Sequence, residues 1–472
     1  PDSQPGDNGP PATLSLWDAV SIIVGIVVGV SIFKVPGLIF ANVSSPLEGL
    51  VAWGLGAVVA VCGALTYAEL ATLHRRTGGE YVYLSRAYGP CLGFLFGWAQ
   101  LTGVFSGSIG TMAYVFADYA IVLFDWEAST GVGLALFSVL LLTTLHILGV
   151  KTSTTVQNVL TLSKLIGLVM LLAVGLLAGS NESLTTEMPA GGGGFGLAMV
   201  FILYAYGGWN DAAMVSAEIH DSKRNVPKSL LIGIGLISCI YLLINLAYLQ
   251  GLGFAAIRES GTPATDVIAN SKLLSPAIRG WSVQAIAVLV MLSALGAVHG
   301  LIFTGSRLYA ALGSDHGLFE KLGHWHPKLG SPVWSLGAQA ALTSLLIVTV
   351  GTETGRGCVD AVVTTIGRDP VPWENFGGGF DTLLAATAPV FWSFFLLSGS
   401  TVFVFRLRQP EADRPFRTPL YPVVPLVFML SCVYMIYSSV SYAGDLALLA
   451  LIPLAAGVPI YLLSSHATHS TS

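Results

Sequence analysis

Charged residues are scarce in this chain. Lysine, arginine, aspartate and glutamate make up 10% of the 472 residues, whereas 54% are hydrophobic, and the net charge is -5. Soluble domains carry about 25% charged residues, so this chain cannot cover a soluble surface of its size. The composition predicts an all-α membrane protein that crosses the bilayer many times and is surrounded by membrane lipid. Without a basic patch, no nucleic-acid partner is expected.

Cysteine motifs and catalytic motifs are also missing. The chain contains no C-x-x-C pair, no phosphate-binding loop, no H-E-x-x-H motif and no paired nucleophile and base. We therefore expect no metal, no cofactor and no enzymatic activity, with a membrane-embedded enzyme kept as an alternative because single ionisable residues lie within apolar runs. The scattered cysteines, interpreted as buried thiols, are Cys62, Cys91, Cys239, Cys358 and Cys432.

Long apolar runs dominate what is present. About 20 apolar residues are needed for a helix to cross a hydrocarbon core about 30 Å thick, and this criterion predicts twelve spans. Residues 1–14 are polar, which predicts a disordered tail. Most lysines and arginines fall in loops on the same side of the membrane as this tail. This bias predicts that both termini lie on the cytoplasmic side of the plasma (inner) membrane. The predicted spans are 15–42, 47–72, 89–122, 131–150, 154–179, 195–218, 226–252, 279–311, 333–350, 381–407, 420–441 and 443–463.

Two of these spans carry glycines at their centre. The first, Ile22–Pro36, contains Gly25 and Gly29, and the second contains Tyr204–Asn210, Y-A-Y-G-G-W-N. Non-helical backbone at membrane depth is tolerated where it faces protein or an aqueous cavity. Paired broken helices are typical of transporters with a site near the membrane midplane. We therefore predict a substrate site between the two breaks.

The spacing of the breaks predicts an internal repeat. Spans one to five (15–180) and six to ten (195–407) have opposite topology, and each set opens with a broken helix, while two further spans occupy 420–463. This arrangement predicts a LeuT-like fold, with a five-plus-five inverted repeat and two additional C-terminal helices. The outer loop 351–379 is rich in glycine, proline and charge, which argues against a thirteenth crossing.

Six motifs follow one another along the chain: G-V-S-I-F at 29–33, Y-A-E-L at 67–70, T-G-G-E-Y at 77–81, Y-A-Y-G-G-W-N at 204–210, R-N-V-P at 224–227 and R-P-F-R-T-P at 414–419. In this order and spacing they resemble the amino acid–polyamine–organocation (APC) superfamily of permeases, especially its L-type amino acid transporter branch. The resemblance covers the chain from about residue 15 to about residue 430.

The resemblance implies a secondary transporter that moves amino acids by alternating access, through sodium-independent exchange or proton-linked uptake. A permease for polyamines or other organic cations is the alternative, and a channel is hard to reconcile with paired breaks around one closed site. Animal L-type transporters are linked to a heavy chain through a cysteine in the outer loop between spans three and four. The corresponding loop here, 118–131, has no cysteine, so no disulfide-linked heavy chain is expected.

The two breaks predict how an α-amino acid is bound. The half-helix that follows the first break directs N–H groups and the positive end of its dipole at a carboxylate, with Gly29, Val30 and Ser31 as donors. Half-helices that end at the breaks leave carbonyls for the ammonium group. Val30 stands where the family has a small residue, and its β-branched side chain either restricts this approach or faces away. The predicted substrate-binding residues are Val27, Gly29, Val30, Ser31, Tyr204, Ala205, Gly207, Gly208 and Asn210.

Two residues are expected to act in coupling and gating. Lys164 lies about ten residues into span five, hence about 15 Å deep and close to the midplane. It resembles the lysine of sodium-independent members of the family, which implies that its ammonium group replaces a sodium ion and binds the carbonyls of the first break. Tyr204 aligns with the gating aromatic residue of the L-type branch.

Other ionisable residues receive simpler interpretations. His299 in span eight is predicted to be a hydrogen-bonded packing residue, with a proton carrier as the alternative. Charges at the cytoplasmic ends of the spans are predicted to be solvated loop charges, with an inner gate of ion pairs as the alternative. These residues are Glu69, Arg75, Arg86, Glu218 and Arg224.

Overall fold

Helices account for nearly all the regular structure of this protein. The structure is a computed structural model that describes residues 13–74, 78–178, 185–191, 194–210, 218–260, 262–271, 275–365, 367–376, 378–444 and 446–469. It is 82% helical, and the described residues form no strand. The helices are α1 (Leu16–Val27), α2 (Ser31–Ala41), α3 (Pro46–Leu73), α4 (Glu80–Tyr88), α5 (Pro90–Ala99), α6 (Phe105–Phe124), α7 (Gly131–Ile147), α8 (Val150–Ala178), α9 (Gly194–Ala205), α10 (Ser222–Leu252), α11 (Phe254–Glu259), α12 (Pro263–Asn270), α13 (Pro276–Asp315), α14 (Val333–Gly351), α15 (Glu353–Thr365), α16 (Gly379–Arg408), α17 (Val423–Ala443) and α18 (Leu446–His469).

The protein is an integral multi-pass membrane protein. Within the described ranges, nine helices are long and apolar enough to cross a membrane, whereas the sequence predicts twelve spans. Predicted spans one, six and twelve fall instead on shorter apolar helices, Leu16–Val27, Gly194–Ala205 and Ala450–Ser464. For the first two, the chain leaves the helix midway, so the described helix is too short to cross alone.

The first break separates α1 from α2. A capping box starts α1, because the Ser15 side chain accepts the Asp18 N–H while the Asp18 carboxylate accepts the Ser15 N–H. The helix ends where Val28 adopts φ -74° and ψ 69°, and helical geometry resumes at Ser31. Gly25 lies within α1 and not in the break. A Cβ atom there would lie 1.9 Å from the Gln157 amide nitrogen, so close packing against α8 explains this glycine.

The second break follows α9. Residues 206–210 form a turn in which Gly208 has φ +101°, a conformation that glycine adopts without strain. A Cβ atom on Gly208 would also lie 2.8 Å from the Ile26 side chain, which shows how closely the second break approaches the first. Residues 211–217, which include the end of predicted span six, lie outside the described residues.

Long helices hold the two breaks together. Helix α10 packs against α1, α3 and α8, and α13 packs against α1, α6 and α8. Between α5 and α6 the chain forms a π-helical turn, Gln100–Val104, a feature that often occurs at functional sites. Of the predicted tail, Thr13 and Leu14 are described, and both donate their N–H groups to the Glu218 carbonyl, at 2.9 and 2.8 Å.

The outer loop 351–379 contains helix α15 and a short 3₁₀ turn, Trp373–Asn375. The Asp360 carboxylate holds the two together, because it accepts hydrogen bonds from the Trp373 indole at 3.0 Å and the Val371 N–H at 3.1 Å. With 13 residues, α15 is too short to cross a membrane, in agreement with the prediction that the loop contains no thirteenth crossing.

Candidate substrate-binding site

A cavity of about 130 Å³ lies between the two breaks, closed laterally by α6, α13 and α16. The structure brings most of the predicted binding residues together in its wall, but not Val30, which is 1% exposed and packs in the hydrophobic core. The valine therefore faces away from the cavity, which resolves the question raised by its β-branched side chain. The predicted residues that line the cavity are Val27, Gly29, Ser31, Tyr204, Ala205, Gly207, Gly208 and Asn210.

The N–H groups of the first break differ in their availability. The Gly29 N–H donates to the Val27 carbonyl at 2.7 Å, so it is already in use. Ser31 lines the cavity and occupies the first position of α2, where a helix leaves its N–H without an intrahelical acceptor. Of the three predicted donors, Ser31 therefore has the best placed N–H for a carboxylate.

The carbonyls at the ends of α1 and α9 are bridged by a tyrosine that the sequence analysis did not single out. The Tyr241 hydroxyl lies 2.7 Å from the Val27 carbonyl oxygen and 3.0 Å from that of Ala205. Tyr241 is fully buried on α10. The Tyr204 carbonyl accepts the Gly207 N–H at 3.0 Å. Each carbonyl oxygen can accept a second hydrogen bond, so all three remain available to an ammonium group.

Lys164 is fully buried on α8 and ties that helix to the first break. Its ammonium group donates to the carbonyls of Gly25 and Val28, both at 2.8 Å, and to that of Ser293 on α13 at 3.3 Å. The three donors of a lysine are thereby used. The Ser293 hydroxyl also donates to the Val28 carbonyl, at 3.1 Å. Lys164 thus joins α1, α8 and α13 at the point where the first helix breaks.

His299 belongs to a buried polar cluster behind α1. Its Nδ1 lies 2.8 Å from the Gln157 Oε1, and the His146 Nε2 lies 3.0 Å from the His299 carbonyl. The two imidazole rings are 4.1 Å apart. This environment agrees with the interpretation of His299 as a hydrogen-bonded packing residue.

Two of the charges expected to be solvated are instead buried in ion pairs. Glu69 is 2% exposed, and its carboxylate accepts hydrogen bonds from two nitrogens of the Arg406 guanidinium, at 2.9 and 2.7 Å, while the Arg414 guanidinium lies 3.5 Å away. Glu218 is 1% exposed and pairs with Arg307 at 3.0 Å. The prediction of solvated charges is wrong for these two residues, because helices distant in the chain supply their partners.

Arg75, Arg86 and Arg224 are the other three charged residues predicted to be solvated. Arg86 and Arg224 are exposed, as predicted, and the Arg86 guanidinium also donates to the His74 Nδ1 at 2.7 Å. Arg75 lies outside the described residues. Among the described residues of this set, Glu69 and Glu218 form the ion pairs that the inner-gate alternative requires.

A buried network connects the cavity to the start of α4. Asn210, which lines the cavity, donates to the Glu80 Oε1 at 3.0 Å, and the Tyr67 hydroxyl donates to the same oxygen at 2.9 Å. Glu80 stands in the T-G-G-E-Y motif, but no pattern in the sequence indicates that it reaches the second break. This contact depends on the tertiary fold, which brings the start of α4 next to Tyr67 of α3 and Asn210 of the second break.

The cavity wall is polar at a few points and carries no charged side chain among its described residues. Gln100, in the π-helical turn, is 4% exposed, and its side-chain oxygen lacks a hydrogen-bond partner among the described residues. Ser108 and Thr387 add hydroxyl groups. This lining suits a ligand with an uncharged side chain, since a charged one would lose its hydration without an opposite charge to compensate.

Comparison with known proteins agrees with this geometry. A family model described as an amino acid permease matches residues 14–462. The serine/threonine exchanger SteT of Bacillus subtilis is 28% identical over 96% of this chain and 97% of its own length. The human b(0,+)-type amino acid transporter 1 is 26% identical over 90% of this chain and 82% of its own length. The mouse large neutral amino acids transporter small subunit 2 is 26% identical over 97% of this chain and 81% of its own length. The predicted resemblance to APC permeases with L-type relatives is thereby confirmed.

Proposed function

Because this chain belongs to the amino acid permease family, we propose that it exchanges small neutral amino acids across the membrane by alternating access. The observation that carries this proposal is the cavity between the two breaks. Its described lining offers the N–H of Ser31 to a carboxylate and the carbonyls of Val27 and Ala205 to an ammonium group, but no charged side chain. A zwitterion with a neutral side chain fits this distribution of donors and acceptors.

The alternative substrates and activities are less well supported. A polyamine carries several positive charges and would be expected to meet carboxylates, whereas the described cavity wall contains none. An enzyme would need a catalytic constellation in the same wall. The three relatives compared above are all named as transporters or exchangers, which favours transport.

The finer architecture belongs to the same proposal. Nine described helices of spanning length, together with the three shorter apolar helices Leu16–Val27, Gly194–Ala205 and Ala450–Ser464, support twelve spans arranged as a five-plus-five inverted repeat of LeuT-like fold. The units are residues 15–180 and 195–407, followed by two C-terminal helices at 420–463. Both termini lie on the cytoplasmic side of the plasma (inner) membrane, and the protein works without a disulfide-linked heavy chain.

Tyr204 and Lys164 complete the proposed mechanism. Tyr204 lies at the end of α9, in the cavity wall, and acts as a gate over the bound side chain. Lys164 binds the carbonyls at the first break and takes the place of a coupling sodium ion. Transport is therefore independent of sodium.

Counterflow in liposomes tests exchange directly. We expect unlabelled serine inside the vesicles to accelerate uptake of labelled serine several-fold over empty vesicles, since exchange lets the loaded carrier return. Putrescine inside the vesicles serves as the control and should give the rate of empty vesicles. Acceleration by putrescine but not by any neutral amino acid would contradict the proposed substrate class.

Gln100 is expected to read the substrate side chain. Threonine and valine have nearly the same shape, and threonine alone can hydrogen-bond to the Gln100 amide. We therefore expect the parent to prefer threonine by up to about tenfold, the upper end of the net value of one hydrogen bond. Gln100→Leu should bring the ratio of threonine to valine affinity close to one. Binding of alanine, which makes no such bond, is the internal control. An unchanged ratio in the variant would show that another group selects the side chain.

A further inference from the structure

Glu80 is a buried acid with an incomplete set of hydrogen bonds. Its side chain is 1% exposed, and it forms no ion pair with any described residue. The hydroxyl of Tyr67 and the amide of Asn210 both donate to Oε1, whereas Oε2 has no partner in the described part of the chain. An ionised carboxylate in this position would bury a charge with one oxygen unpaired, which is costly.

The Asn210 side-chain amide, which donates to Glu80, also has an atom without a hydrogen-bond partner among the described residues. The Asn210 side chain donates through Nδ2 to Glu80, but its Oδ1 is buried without a described donor. Both unpaired atoms are acceptors, and they belong to two planar groups that are already joined by one hydrogen bond. A proton on the Glu80 Oε2, donated to the Asn210 Oδ1 after a small side-chain rotation, satisfies both atoms at once. The result is a two-bond pair between a carboxylic acid and an amide.

The surroundings of Glu80 favour the protonated acid. Burial raises the pKa of the Glu80 carboxyl to about 7, although the hydrogen bonds from Tyr67 and Asn210 oppose this. The nearby cations have other partners, since Arg406 pairs with Glu69 and Arg408 donates to the Ala87 carbonyl. The other titratable and charged groups on the elements packed around Glu80 are Glu48, Cys62, Tyr67 and Glu69 of α3 with His74 at its end, Tyr81, Tyr83, Arg86 and Tyr88 of α4, Cys91 of α5, and Asp381, Arg406 and Arg408 of α16.

We propose that Glu80 is a proton-binding site that positions the second break. With the proton on Oε2, Glu80 holds Asn210 through two hydrogen bonds and keeps the turn 206–210 against the cavity. Loss of the proton removes the bond to the Asn210 Oδ1 and leaves a carboxylate oxygen beside it, so Asn210 is held through Nδ2 alone and the turn is held less firmly at the cavity wall. The regulation of exchange by this proton rests on the transport function proposed above, whereas the proton site itself does not.

Infrared spectroscopy of the purified full-length protein tests the site without transport. We expect a carboxylic acid C=O band that disappears as the pH is raised through about 7 and is absent in Glu80→Gln. Glu127→Gln, an exposed glutamate, should leave the band unchanged. Tyr67→Phe removes a hydrogen bond to the charged form and should move the titration to higher pH. A parent without the band, or a band that persists in Glu80→Gln, would overturn the proposal.

Thermal unfolding gives the same site a second measurement. The pKa of Glu80 is higher in the folded than in the unfolded protein, so its contribution to stability is complete below the ordinary carboxyl pKa of 4.5 and is lost as the pH rises through about 7. The Tm of the parent should therefore fall more than that of Glu80→Gln over this range, because glutamine keeps both hydrogen bonds at every pH. Equal pH profiles of Tm would contradict the proposal.

Transport measurements separate this inference from the proposed function. We expect serine exchange to depend on pH in the parent and to lose that dependence in Glu80→Gln. If the titrating band is present but no neutral amino acid is exchanged, the proton site stands and the proposed function is wrong. If exchange is present but the band is missing, the function stands and the proton site is wrong.

Discussion

Lys164→Ala will reduce serine exchange by about 100-fold while the protein still inserts into the membrane. The substitution removes the ammonium group that holds the carbonyls of Gly25, Val28 and Ser293. Each buried carbonyl that loses its donor costs about 1–3 kcal/mol, and about 1.4 kcal/mol corresponds to a factor of ten. The first break then loses its link to α8, so the arrangement that binds substrate becomes rare.

Two further variants define the cause of this loss. Lys164→Met keeps most of the side-chain volume but no donor, so we expect it to fail as Lys164→Ala does. Lys228→Ala, at an exposed lysine, should exchange serine at the parental rate. Initial rates in proteoliposomes, measured in sodium and in potassium buffers, provide the readout. Normal exchange by either Lys164 variant, or strict sodium dependence of the parent, would show that the lysine does not replace a coupling ion.

Gly29→Leu will abolish the stabilisation of the folded protein by serine. A saturating ligand at 100 times its Kd raises the free energy of unfolding by about 2.7 kcal/mol, and the variant should gain nothing. Gly29 lines the cavity, and the atom nearest to a Cβ added there is the Ile26 carbonyl oxygen at 3.5 Å. A methyl group therefore fits, whereas the larger leucine side chain extends into the space that the substrate needs.

The matched controls for this substitution are Gly29→Ala and Gly235→Leu. Alanine at position 29 should keep part of the stabilisation by serine, because its Cβ makes ordinary contacts. Gly235 is exposed on α10 with no atom within 4 Å of an added Cβ, so leucine there should leave the full effect. The measurement is the shift of Tm with serine concentration in detergent. A full shift in Gly29→Leu would place the substrate elsewhere.

Some of the residues around the breaks can be recognised from the sequence, and others cannot. Gly29, Gly207 and Gly208 are recognisable because glycines at the centre of an apolar span are locally unusual. Lys164 is recognisable by its depth alone. Tyr241 has no such signal, because it is one of many aromatic residues in apolar spans and its importance comes from the two carbonyls it meets.

The buried ion pairs of Glu69 and Glu218 could not be predicted from the sequence. Glu69 and Glu218 lie at the ends of predicted spans, where exposure is the usual outcome for a carboxylate. Their burial follows from Arg406 and Arg307, which stand 337 and 89 residues away in the chain. A sequence without its fold carries no information on such distant pairs, so the prediction of solvated charges failed for both.

The sequence by itself determined that this chain is helical, that it crosses the membrane many times and that two of its helices break near their centres. These properties depend on contiguous residues, through apolar length and local backbone freedom. The tertiary structure alone decided that Gln100 lines the cavity, that Tyr241 bridges both breaks and that Glu80 meets Asn210. Those contacts depend on the rotation and register of helices that are far apart in the chain. Rotating one of these helices by a single residue would point different side chains at the site.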